Sequence, residues 1–272
     1  MSIYLMKFGG NAIRGKSDLD RLAKEIASLI AKKAKIILVH GGGPEITAEI
    51  EKRGMTTKKV GGFRITDENV LKVADEVLKG LNDDVIDSLK KAGVKAKGMP
   101  GYEGGVIECV KKDPIKVKEG DATITVDLGL VGEVDKVKVS YLKELLSKGI
   151  MPVIYPICAD AKGAKMNVNA DTVASGIAAA VGCSEMVFIT DVPGILLNVN
   201  DPSSKLDKVS LKEIDEMIAS GIISGGMIPK VEACQKALLD GVDKVRMVNG
   251  KDERSIVSEI MSGKAHGTLI TK

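Results

Sequence analysis

Short β-branched runs alternate with helical segments over the whole 272-residue chain. This predicts an α/β protein, a three-layer αβα sandwich with a mainly parallel central sheet and two lobes. Two further observations point the same way. The best-defined runs are continuously apolar, as in strands covered on both faces. Glycines follow them directly, at Gly9-Gly10, at Gly41 to Gly43 and, after Asp191, at Gly194.

Each element has a local reason. Ile3 to Phe8 is an apolar run closed by Gly9-Gly10 and reads as a strand. Asp18 to Lys33 places Leu19, Leu22, Ala23, Ile26, Leu29 and Ile30 on one helical face. Ile36 to Val39 is a buried strand ending at three glycines. Asp67 to Lys91 returns to helical spacing through Val70, Val73, Ala74, Val77, Leu78 and Leu81. Ala122 to Val139 alternates Thr and Val and predicts a hairpin on one side of the sheet. A helix over Tyr141 to Lys148 precedes a strand over Met151 to Ile157. A helix over Asp171 to Val181 ends at Gly182, before a strand over Met186 to Thr190. Ser210 with Glu213 spells a capping box opening a helix through Ile218. Pro229 suits the first turn of a helix running to Leu239. A strand over Lys244 to Val248, a helix over Glu253 to Met261 and a strand over Thr268 to Thr271 complete the series. No linker or repeat interrupts it. The chain therefore reads as one domain, 1–272, whose lobes divide near Gly182 into 1–182 and 183–272.

Composition narrows the function. Hydrophobic residues are 44% and charged residues 28%, an ordinary globular balance that excludes long disorder. Aromatics are only 3%, and 40 basic against 37 acidic residues give a net charge of +3. Neither the stacking faces nor the basic excess of a nucleic-acid binder is present. No apolar run approaches the roughly 20 residues of a membrane helix. Cys109, Cys158, Cys183 and Cys234 are scattered without a C-x-x-C. They read as reduced, mostly buried thiols of a cytoplasmic protein, with no metal site.

Glycines beyond strand ends let backbone N–H groups approach a phosphate, and the following helix N-terminus adds a favourable dipole. A strand–helix turn explains any single cluster equally well; several clusters together favour phosphate binding. Gly10 to Ser17 matches G-x-x-x-x-G-K-[ST], the P-loop pattern, with Lys16 as its lysine. Taken alone it points to a P-loop NTPase. Other residues compete with it. Lys7 stands directly before the first glycine pair, and Lys230 opens a helix after Gly225-Gly226-Met227-Ile228-Pro229. Asn167-Val168-Asn169-Ala170-Asp171 groups short polar side chains at a helix start, where capping is an equal explanation. Arg64 precedes the Asp67 helix and reads either as a surface residue or as a planar clamp for a carboxylate.

Taken together these residues resemble the amino acid kinase family. Lys7 to Ala12, His40 to Pro44 and Gly62 to Asp67 look like its first three motifs. Asp127 to Val134 is similar to its β-hairpin, and Asn167 to Asp171, Thr190 to Leu196 and Gly225 to Lys230 look like the rest. Order and spacing agree along the whole chain. Met99 to Gly104 departs from the family's usual turn.

The resemblance implies ATP-dependent phosphorylation of the side-chain carboxylate of N-acetyl-L-glutamate, a step of arginine biosynthesis. The alternatives are a family member acting on carrier-linked aminoadipate, glutamate or another small carboxylate, and, in a different class, the Lys16 P-loop NTPase. By resemblance Lys7 and Lys230 stabilise the transferring phosphoryl group and Asp171 orients both. The backbone of Gly9, Gly10, Gly42 and Gly43 cradles that group. Gly42, Gly43, Arg64, Asn167 and Asn169 hold the acceptor. Thr190, Asp191, Gly194, Ile195, Leu196 and Ser224 line the nucleotide site. Mg²⁺ arrives on the ATP phosphates. Lobe 1–182 takes the acceptor and the dimer contact, and lobe 183–272 the nucleotide. The first strand begins near Ile3, leaving no room for the N-terminal helix of arginine-inhibited hexamers, and Asn249 to Gly267 lacks their histidine pattern. The expectation is an arginine-insensitive homodimer.

Overall fold

The protein is described by a computed structural model covering residues 2–10, 12–13, 15–119, 122–250 and 267–272. The chain runs β1 (Ile3–Phe8), α1 (Gly15–Ala31), β2 (Lys35–His40), α2 (Gly43–Lys52), β3 (Lys59–Val60), β4 (Phe63–Arg64), α3 (Glu68–Lys91) and β5 (Ala96–Pro100). It continues through β6 (Ile107–Lys111), β7 (Ile115–Glu119), β8 (Ala122–Val126), β9 (Val131–Val137), α4 (Ser140–Ser147), β10 (Met151–Tyr155), β11 (Ile157–Ala159), β12 (Lys165–Val168) and α5 (Ala170–Val181). It ends with β13 (Glu185–Thr190), β14 (Lys208–Ser210), α6 (Leu211–Ala219), α7 (Ile228–Leu239), β15 (Val245–Asn249) and β16 (Thr268–Thr271). The helix expected over Glu253 to Met261 lies outside the described residues.

Eight strands form one sheet in the order β14-β16-β15-β13-β1-β2-β10-β5. Pairing is parallel except between β15 and β16. Alternate residues of each strand face opposite layers. Leu5, Ile37, Val39, Ile154, Met186 and Phe188 pack with residues of α4, α5 and α7. Met6, Phe8, Ile36, Leu38, Val153, Val187 and Ile189 pack with α1 and α3. The expected three-layer sandwich is thus present. Strand parity also decides the direction of Lys7: it shares the Leu5 face, the side on which α5 lies.

The strand order matters for function. From β1 the sheet grows one way through β2 and β10 and the other way through β13 and β15. Open α/β sheets bind ligands at such a switch point, beyond the strand carboxyl ends. Gly9-Gly10, Gly41 to Gly43 and Asp191 all follow these strands.

Two local readings change. Residues 122–139 do not form one hairpin. β8 pairs with β7, whereas β9 pairs with β6 and β12 in a closed four-stranded barrel completed by β11. Gly129 (φ 72°) diverts the chain between them, and its backbone bridges to Thr66. A Cβ at Gly129 would lie only 2.3 Å from Thr66 O. The run Met151 to Ile157 is two strands. Pro156, with no N–H to donate, separates β10 of the sheet from β11 of the barrel.

Candidate active site

Helix α5 starts where the sheet and the barrel meet. Asn169 is its N-cap, accepting from the Asp171 and Thr172 amides at 2.8 and 3.2 Å. Gly182 ends the helix in the left-handed conformation (φ 66°). The cap sets Asp171 on the first turn, facing the C-terminal end of β1. There its Oδ1 lies 2.5 Å from Lys7 Nζ, with both side chains largely shielded from solvent.

Lys230, in the first turn of α7, reaches the loop after β13 and donates to Asp191 Oδ1 at 2.8 Å. The anticipated single carboxylate orienting both lysines is therefore corrected. Asp171 holds Lys7, and Asp191 holds Lys230, because each carboxylate lies beside the strand end or helix start that presents its lysine. All four charged groups line one cavity of about 200 Å³, with Gly9, Gly10 and Thr190. Lys7, Gly9, Gly10 and Asp171 also line a second cavity of about 350 Å³, so the two meet at the Lys7–Asp171 pair.

The larger cavity contains the other expected acceptor residues. Gly42, Gly43, Arg64, Asn167 and Asn169 line it, over an apolar floor that includes Ile46, Leu78 and Val131. Arg64 is buried (7% exposed). Its Nη2 donates to Gly43 O at 2.9 Å and to Thr47 Oγ1 at 2.7 Å. Its Nη1 is buried without an acceptor among the described residues. Desolvation opposes the charge and pulls this guanidinium below the usual arginine range. A buried cation with a donor that has no acceptor, on a residue that lines a cavity, suits an anionic ligand. Asn167 Nδ2 leans on Thr66 Oγ1 at 3.4 Å, and Thr66 donates to Arg64 O at 2.8 Å. Thr66 also ties the β3–β4 hairpin to the barrel through Leu128 O and the Leu130 amide.

The nucleotide-side residues divide. Thr190 and Asp191 line the small cavity; Gly194, Ile195, Leu196 and Ser224 do not. Ile195 is 1% exposed and belongs to the core; its N–H donates to Thr268 Oγ1 and its carbonyl accepts from the Leu206 amide, both at 2.9 Å. Gly194 is pressed against Thr268, whose Oγ1 would stand 2.4 Å from an added Cβ. Ser224 is exposed and opens the 3₁₀ turn Gly225–Met227 that leads into α7.

Lys16 lies elsewhere. It is exposed on the first turn of α1 and lines a third cavity, which shares Gly9, Gly10, Gly41 and Gly42 with the larger one but contains neither Lys7 nor Lys230. The departing turn Met99 to Gly104 lines neither of the first two cavities. Sequence reasoning missed Thr47 and Thr66, the partners of Arg64, and Lys59, a cation on the wall of the larger cavity. No spacing signal marks them, since their contacts are created by the fold.

The described residues contain no group of three or more His, Cys, Asp and Glu arranged to hold a metal. The two cleft carboxylates are each committed to a lysine. That donor set suits a cation carried in by phosphate oxygens rather than one held in a protein cage. No helix among the described residues is long and apolar enough to cross a membrane. All four cysteines are buried and free.

The model of the amino acid kinase family matches residues 2–249. A Methanococcus aeolicus protein named acetylglutamate kinase is 41% identical over 269 residues, covering 98% of this chain and 91% of the relative. A protein of the same name from Archaeoglobus fulgidus is 38% identical, covering 98% and 92%. Among solved structures, carbamate kinase from Giardia superposes with a TM-score of 0.73 at 16% identity, covering 100% of this chain and 99% of that one. N-acetylglutamate synthase from Neisseria gonorrhoeae, solved with coenzyme A and N-acetyl-glutamate, gives 0.83 at 20% identity, and this chain spans 59% of it. At those identities the likeness is one of fold.

Proposed function

The chain belongs to the amino acid kinase family, and on that premise we propose that it transfers the γ-phosphoryl group of ATP to the side-chain carboxylate of N-acetyl-L-glutamate, forming an acyl phosphate in arginine biosynthesis. One observation carries the reading. Two lysines from opposite lobes, each held by its own aspartate, line one small cavity that meets a larger, arginine-bearing one at Lys7.

Phosphoryl transfer asks the protein mainly for positioning and charge neutralisation. Lys7 and Lys230 supply positive charge around the transferring group, with their headgroups fixed beforehand by Asp171 and Asp191. The amides of Gly9, Gly10, Gly42 and Gly43 donate to its oxygens. The acceptor carboxylate is already ionised at neutral pH and needs no general base. Arg64 takes the acceptor's α-carboxylate through its unused Nη1, with Asn167 and Asn169 beside it. The apolar floor receives the methyl and methylene groups. Thr190, Asp191, Gly194, Ile195, Leu196 and Ser224 form the nucleotide side. Mg²⁺ carried in on the ATP phosphates would supply further charge neutralisation when bound. Lobe 1–182 thus serves the acceptor and lobe 183–272 the nucleotide.

We further infer a cytoplasmic, two-fold homodimer. Four buried free thiols support the first. The edge position of β5, whose outer backbone groups have no partner strand among the described residues, supports the second. Light scattering should return twice the chain mass; a monomer would refute it. The decisive assay is coupled ADP release across N-acetyl-L-glutamate, glutamate, aminoadipate and their carrier-linked forms. Turnover should be highest with N-acetyl-L-glutamate. A preference for a carrier-linked acceptor would overturn the assignment.

A further inference from the structure

His40 is fully buried at the end of β2, yet the mechanism above gives it no task. It stands between Phe8 (ring centroids 5.7 Å apart) and Tyr155 (6.3 Å). Its Nδ1 lies 2.9 Å from Gly41 O and its Nε2 lies 2.9 Å from Asn82 Nδ2. Asn82, also buried, donates through the same Nδ2 to Val153 O at 3.1 Å. A carbonyl only accepts, so Nδ2 is correctly the amide nitrogen. The same logic puts the imidazole proton on Nδ1, facing Gly41 O, and leaves Nε2 to accept from Asn82. Gly98 clears the space for Asn82: an added Cβ there would lie 1.9 Å from Asn82 Oδ1.

The consequence reaches the glycine loop. A trans peptide sets its N–H antiparallel to its carbonyl. Drawing Gly41 O toward the imidazole therefore turns the Gly42 N–H away from it. That N–H has no acceptor among the described residues, and Gly42 lines the acceptor cavity. The Gly41 amide is fixed independently by Phe8 O at 2.9 Å, which ties the two glycine turns together. The geometry points to His40 as a positioning residue: through Gly41 O it holds the Gly42 amide ready for an oxygen of the transferring phosphoryl group, with Asn82 locking its tautomer.

This rests on the phosphoryl-transfer reading, and the test separates the two. His40→Asn places an amide donor where Nδ1 was, His40→Gln places one near Nε2 instead, and His40→Leu provides none. With saturating substrates, Leu and Gln should lower kcat at least tenfold while both KM values stay within about twofold. Asn should recover most of the turnover. Binding of MgADP with aluminium fluoride, a mimic of the transferring group, should weaken tenfold or more in Leu and Gln, while MgADP alone binds as in wild type. Should Leu fail to fold, the Asn–Gln pair decides. Equal kcat and equal fluoride-complex affinity in Asn and Gln would overturn the role of His40. A wild type inactive on N-acetyl-L-glutamate that still binds the fluoride complex would sink the acceptor assignment and leave this comparison intact. A wild type that binds neither would sink both.

Discussion

At the scale of single residues, the competition is among three lysines. Lys7 and Lys230 are each held by an aspartate in the cleft, whereas Lys16 sits exposed on α1, in a cavity that adjoins the glycine turns but contains neither of those lysines. Lys7→Ala and Lys230→Ala should each lower turnover on the order of a hundredfold or more, because each removes a preorganised charge from the transition state. Lys16→Ala should cost less than about tenfold, under roughly 1.4 kcal/mol. Saturation kinetics on folded variants checks this; a dead Lys16→Ala beside an active Lys7→Ala would restore the P-loop. Arg64 makes a different prediction. Its Nη2 is engaged by Gly43 O and Thr47, while Nη1 has no acceptor among the described residues. A lysine cannot serve all three positions. Arg64→Lys should raise KM for N-acetyl-L-glutamate much more than KM for ATP. Equal effects on both would remove Arg64 from the acceptor site.

Among the elements, α5 bears most directly on the chemistry. Its N-cap satisfies two amides of the first turn and thereby fixes Asp171 against Lys7. Asn169→Ala should destabilise the fold by about 1 kcal/mol, a loss of about 2–4 °C in Tm for a chain of this size. Turnover should fall with it, since the first turn would fray around Asp171. Asn169→Ser should restore most of the Tm, its hydroxyl replacing the cap. Circular dichroism melts of the three proteins measure the effect, and an unchanged Tm in the alanine variant would show that the cap bonds contribute nothing. The β3–β4 hairpin is anchored in a contrasting way. Thr66 and Gly129 join it to the barrel backbone to backbone, so Arg64 is aimed by a non-local tie rather than by a helix turn.

The whole molecule feels the buried histidine through pH. Desolvation lowers the His40 pKa from 6.5 to about 4 in the folded chain, although the Gly41 carbonyl opposes part of that fall. Between these values the unfolded chain binds a proton that the folded chain refuses. Stability from this group is complete above about pH 6.5 and is lost as pH falls toward 4. The loss is on the order of 3 kcal/mol at about 1.4 kcal/mol per unit. Denaturant titrations at pH 7.5, 5.5 and 4.5 should show a decline in wild type that His40→Asn lacks. Parallel slopes in the two proteins would refute the assignment.

What the sequence determined by itself is what depends on near neighbours. Strand–helix alternation, the two-faced burial of β1, β2 and β13, the Ser210–Glu213 capping box and the Gly182 helix end are set within a few residues, where periodicity and capping chemistry act. The placement of Lys7 before its glycines was legible for the same reason. Its partner is not wholly so: the resemblance points both lysines to Asp171, whereas the fold places Lys230 on Asp191, 39 residues away. The barrel, the split at Pro156, the Arg64–Thr47 bond and the His40–Asn82 pair were likewise decided only in three dimensions. Strands of three to five residues, such as β11 and β12, are too short to show a period. Contacts between residues 17 to 101 positions apart, as in Arg64–Thr47 and Asn167–Thr66, depend on how sheet, barrel and hairpin close on one another, which no local pattern encodes.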